Sequence, residues 1–84
     1  MQVIKKGSTG SDVKCLQVLL RSMGFTGKDN LPLSIDSSCG DTLIYAINAY
    51  QKMCISYGVD VGTNNKPDSS CGPKMWISLL GGDV

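Results

Sequence analysis

The stretch "DSSCG" stands at Asp36–Gly40 and again, unchanged, at Asp68–Gly72. The first copy is followed by "DTLIYAINAYQKMC" and the second by "PKMWISLL". Both followers carry apolar residues at helical spacing. Each copy therefore reads as a turn that delivers a helix. Asp36 and Asp68 suit Asx-turns, in which the carboxylate accepts an N–H from its own loop. Gly40 and Gly72 are expected to supply the backbone freedom for the helix start. Cys39 and Cys71 are expected to point into a core. Two copies are too few for a solenoid. The reading is a duplicated turn-plus-helix unit.

Outward from these loops, the helix limits follow from punctuation. Ahead of the first loop, "KKGSTGSD" breaks regular structure, and Ser11 reads as the N-cap of a first helix. Asp12 then favours the positive end of the helix dipole. Val13, Leu16, Leu20 and Met23 form its inward stripe, flanked by Leu19, while Lys14, Arg21 and Ser22 face out. Gly24 is placed to end it, with Phe25 folding back. A second helix starts at Gly40 or Asp41, buries Leu43, Ala46, Ile47, Tyr50 and Cys54, and stops near Tyr57–Gly58. Its outer face reads Tyr45, Asn48, Ala49 and Lys52. A third begins with Pro73 at its first position, turns Trp76, Leu79 and Leu80 inward, and ends at Gly81–Gly82. The connections Thr26–Ile35 and Val59–Pro67 are polar and aperiodic, with short extended pieces expected at Leu33–Ile35 and Val59–Val61. The fold class is all-α: one compact three-helix domain over residues 1–84, with long irregular loops.

Composition narrows the function. An 84-residue chain with 42% hydrophobic residues supports one core. The net charge of +1 gives no reason to expect a nucleic-acid partner. Five of the cations, against two aspartates, fall in residues 1–30, which reads as a solvated face. No apolar run suits a membrane span or a signal peptide. The chain has no histidine and no glutamate. The side chain best matched to proton transfer near neutral pH is missing, and with it any Ser-His or Cys-His nucleophile pair. Four cysteines show no C-x-x-C spacing, which argues against a metal site. They read as free thiols serving as small hydrophobes. An even count also leaves two disulfides open, with Cys39–Cys71 the first pair to test. No cofactor is expected.

Three motifs together carry a resemblance. "KKGSTGSDVKCLQVLLRSMGF" resembles the opening K-x-G-S-x-G-x-D-V-x-x-L-Q-x-x-L-x-x-x-G-F of the peptidoglycan-binding domain found on bacterial cell-wall hydrolases and phage endolysins. Lys5, Gly7, Ser8, Gly10, Asp12, Val13, Leu16, Gln17, Leu20, Gly24 and Phe25 match. "IDSSCGDTLIYAINAYQ" resembles the family's middle motif through Asp36, Gly40, Ala46, Ile47, Tyr50 and Gln51. "PDSSCGPKMWISLL" resembles its end through Asp68, Gly72, Pro73, Trp76 and Leu79. Ser37 and Ser69 depart from family glycines, Cys39 from a Phe and Met75 from a Thr. The resemblance implies a three-helix pseudo-repeat that binds bacterial peptidoglycan, without catalysis, at the cell wall. Its partner would be a covalently linked catalytic domain.

Peptidoglycan offers sugar rings, N-acetyl groups and stem-peptide carboxylates. A site for it calls for an aromatic, amides and a cation. Tyr45, Asn48 and Lys52 supply these at helical spacing, with Arg21 and Tyr57 as further candidates. Gln17 and Gln51 match family positions, and each equally fits a bond to loop backbone. Trp76 reads as core. A rival reading, a glycosidase using Asp36 and Asp41, conflicts with the capping roles that suit these residues. The alternative is a protein-interaction or pro-domain-like module without wall binding.

Overall fold

The computed structural model describes residues 1–81. Three helices form: α1 (Ser11–Ser22), α2 (Asp41–Ser56) and α3 (Pro73–Leu79). Among the described residues no strand runs alongside them, only isolated bridges. The all-α expectation holds. Leu33 and Val61, read as parts of extended pieces, instead drop single side chains into the core from the two long loops. No helix is long and apolar enough to cross a membrane among these residues. The radius of gyration, 11.5 Å, matches the value of about 12 Å expected for one compact body of this length.

The core holds Val13, Leu16 and Leu20 of α1, the α2 stripe Leu43, Ala46, Ile47, Tyr50 and Cys54, and Met75 and Trp76 of α3. Met23 and Leu80 are corrections to the sequence reading. They are 46% and 55% exposed, because both fall at the C-cap residue, where the chain turns away from the core. Met75, read as a mere departure from the motif, is fully buried in their stead. Phe25 packs edge-on against Tyr50, with ring centroids 5.6 Å apart.

Both long helices end in Schellman motifs. At α1, Phe25 N–H donates to Leu20 C=O and Gly24 N–H to Arg21 C=O, both at 3.0 Å. At α2, Val59 and Gly58 repeat the pattern onto Cys54 and Ile55 at 2.9 Å. Gly24 and Gly58 take φ 89° and 87°, which an L side chain resists. Gly81 has φ 102°, while Gly82 lies outside the described residues.

The start of α1 differs from expectation, whereas α2 is capped by Gly40 and α3 opens on Pro73 as the sequence suggests. Each N-cap is a glycine (Gly10, Gly40, Gly72) and none has a side-chain cap bond. Ser11 is the first helical residue rather than the cap. The reason lies upstream: Gly10 N–H donates to Ser37 C=O (3.0 Å) and bends at φ 115°, which fixes where α1 begins. Gly40 and Gly72 have φ −100° and −98°, ordinary extended backbone that any residue adopts. The left-handed positions in the repeated loops are Ser37 (φ 61°) and Ser69 (φ 60°). The expected conformational role of the loop glycines therefore belongs to the serines.

Residues 2–10 form a strap, interrupted by a turn in which Ser8 N–H donates to Lys5 C=O (2.9 Å), that the sequence pattern does not announce. Ile4 exchanges backbone hydrogen bonds with Cys71 (3.0 and 2.8 Å). Cys39 N–H donates to Ser8 C=O and its C=O accepts Gly7 N–H, both at 2.9 Å. The strap thus stitches the two DSSCG loops together. Asp12 Oδ2 accepts Gln2 N–H (2.7 Å), and Trp76 Nε1 donates to Gln2 C=O (2.9 Å).

Candidate functional site

The duplicated loops are held by two buried glutamines. Gln17 Nε2 donates to Asp36 Oδ1 (2.8 Å) and Ser38 C=O (3.1 Å), while its Oε1 accepts Ser37 N–H (3.0 Å). Gln51 repeats this one unit later. Its Nε2 donates to Asp68 Oδ1 (2.8 Å), Ser70 C=O (2.7 Å) and Val61 C=O (3.2 Å), and its Oε1 accepts Asp68 N–H (3.1 Å). The Asx-turns form as expected: Ser38 N–H donates to Asp36 Oδ1 and Ser70 N–H to Asp68 Oδ1. Both glutamines are therefore loop clamps. The amide bond from Gln17, followed by the Ser38 N–H, holds the Asp36 carboxyl below its usual pKa by stabilising the charged form. With Asp36 so engaged, a glycosidase pair with Asp41 has no observation behind it.

Cys15, Cys39, Cys54 and Cys71 are free thiols. Burial raises the Cys39 thiol pKa, and burial with nearby Asp68 and Cys39 pushes Cys71 up to about 12. Such thiols are poor nucleophiles. Tyr50 is raised as well, chiefly by burial, and its hydroxyl sits 2.6 Å from Ser78 Oγ.

The outer face of α2 is bordered by two open depressions. An open groove of about 440 Å³ runs beside its first turns. Ile44 and Tyr45 give it an apolar floor, Thr42 and Asn48 lie along it, and Lys28, Asp29 and Asp41 supply charge. A second depression, of about 250 Å³, is lined by Tyr45, Asn48, Ala49, Lys52 and Pro67. Tyr45 and Asn48 belong to both, so the two adjoin. Tyr45 is 48% exposed. Asn48 is committed: its Oδ1 accepts Ser69 N–H (2.9 Å) and its Nδ2 donates to Ser69 Oγ (3.0 Å).

Tyr45, Asn48 and Lys52 are thus brought together. Arg21 and Tyr57 are not. Arg21 reaches from α1 to the Leu33 C=O (3.3 Å) and lines neither depression. Tyr57, 80% exposed, caps the far end of α2, about 18 Å along the axis from Tyr45 at the helical rise. Asp41 and Ile44 were missed as lining residues, although each lies four residues before one of Tyr45 and Asn48. That i, i+4 relation was the usable signal. Lys28 and Asp29 come from an aperiodic loop and gave none.

The same place in the second unit is apolar. With the 32-residue offset of the loops, Ile44, Tyr45 and Asn48 correspond to Trp76, Ile77 and Leu80. With Met1 and Pro73 these line a groove of about 420 Å³. Trp76 itself is 4% exposed, as a core residue should be. Comparison with family models, with curated proteins and with solved structures gave no match.

Proposed function

We propose that this domain is a non-catalytic module that binds bacterial peptidoglycan and holds an attached cell-wall hydrolase on its substrate at the cell wall. The observation that carries the reading is the pair of adjoining depressions on the outer face of α2, where Tyr45 stands half exposed beside Lys52. An aromatic face with a neighbouring cation suits a polymer of sugars and carboxylate-bearing peptides. The three sequence motifs supply independent support, since they resemble the peptidoglycan-binding domain in order and across most of the chain. The lack of histidine and glutamate suits a binder better than an enzyme. Within this reading Asn48 shapes the wall of the site through Ser69 rather than meeting the ligand first, and Arg21 and Tyr57 lie outside it. The test is co-sedimentation of the purified domain with isolated sacculi, run beside release of dye from labelled walls. Binding without release is expected. A domain that stays in solution with walls of several chemotypes would instead favour a protein-interaction module.

A further inference from the structure

We infer that the larger groove takes a zwitterionic peptide, the stem peptide of the wall, and not the glycan strand. The inference rests on the peptidoglycan reading and specifies which part of the polymer enters. Neutral N-acetylated sugars call for free amides as well as an aromatic face, and Tyr45 supplies only the second. Asn48 carries the only amide side chain lining this groove, and Ser69 already occupies its oxygen and one of its N–H groups. The other polar groups of the groove are Lys28, Asp29, Asp41 and the hydroxyls of Thr42 and Tyr45, bordering the Ile44 side chain and the Tyr45 ring. One cation and two carboxylates around an apolar floor complement a ligand with both signs of charge and a short aliphatic segment. A stem peptide has these: carboxylates, and a diamino acid whose side-chain amine stands on a methylene chain. Asp41 is available for that amine. Its pairing with Lys6 (2.9 Å) is a solvent-exposed one, and such pairs contribute little and exchange readily. Asp29 uses Oδ1 to accept Leu31 N–H (3.0 Å), which steadies the loop carrying Lys28.

The experiment is NMR titration of the ¹⁵N-labelled domain with three probes. These are a synthetic L-Ala–γ-D-Glu–L-Lys–D-Ala tetrapeptide, the same peptide Nε-acetylated on lysine, and tetra-N-acetylchitotetraose. The free peptide is expected to shift the amides of Lys28, Asp29, Thr42 and Tyr45. Acetylation, or Asp41→Asn, is expected to weaken binding about tenfold, as loss of one charge-assisted hydrogen bond does. The variant's spectrum shows directly that it is folded. If sacculi bind while the peptide shifts nothing, or if chitotetraose moves these amides instead, the inference fails and the wall-binding reading stands. If sacculi do not bind, both fail.

Discussion

At Gln17 and Gln51 one side chain type does one job twice. Each amide bonds the first half of a DSSCG loop, between its aspartate and its second serine, and Gln51 does so with no exposed surface. Removing it strands the buried Val61 carbonyl and the half-buried Ser70 carbonyl, which costs about 1–3 kcal/mol before any cavity is counted. Gln51→Ala should therefore lower stability by about 3 kcal/mol in urea denaturation, well beyond the ~1 kcal/mol expected for the solvent-facing Asn48→Ala. The two left-handed serines of these loops give a change of opposite sign. An L-residue in the left-handed region costs about 1–2 kcal/mol, and glycine's extra freedom when unfolded returns about 0.5–1 of that. Ser37→Gly should stabilise the domain by about 0.5–1 kcal/mol. Ser69→Gly should gain less, because its hydroxyl bonds Asn48 (3.0 Å). Asp36 sets an acid limit. Its folded pKa lies below the ordinary 3.8 because Gln17 and then the Ser38 N–H favour the carboxylate. Its contribution is thus present above 3.8 and lost as pH falls through the lowered folded value. Thermal midpoints measured down to about pH 2 should fall less steeply for Asp36→Asn, which stays neutral across that range.

The elements differ in how far the sequence announces them. α1 and α2 were legible because apolar residues recur at helical spacing and glycine stands at each C-terminus. α3 was legible from Pro73 and Trp76. The start of α1 was not: serine beside glycine suggests a serine cap, yet a backbone bond from Gly10 to a loop in the second quarter of the chain decides the matter. The strap over residues 2–10 was invisible for the same reason. "QVIKKGSTG" has no period, and its partners lie up to 74 residues away. The strap nevertheless buries Ile4 completely between its backbone bonds to Cys71. Ile4→Ala should cost about 3 kcal/mol, as large-to-small core changes do, and calorimetry should show one cooperative transition at lower temperature. A change below about 1 kcal/mol would mean that the strap is not part of the cooperative unit.

Across the whole molecule, the duplication places equivalent grooves on α2 and α3, then gives them opposite character. Tyr45, Asn48 and Lys52 could be read as one outer face from their spacing alone. That the loop Thr26–Ile35 raises Lys28 and Asp29 as the opposite wall could not, since nothing local fixes where an aperiodic loop lies. Arg21 and Tyr57 shared chemistry with the site but not its location, and composition does not carry location. In the proposed reading, the wall is held in the α2 groove. The most direct measurement is the affinity for purified sacculi of three proteins: wild type, Tyr45→Ala and Tyr57→Ala. Both are exposed tyrosines, one on α2 and one at its C-cap, so the pair separates site from surface at matched chemistry. Loss of a stacking aromatic is worth about 1–2 kcal/mol, hence about a tenfold drop for Tyr45→Ala, with Tyr57→Ala unchanged. Equal affinity for all three proteins, or a loss at Tyr57 alone, would contradict the account.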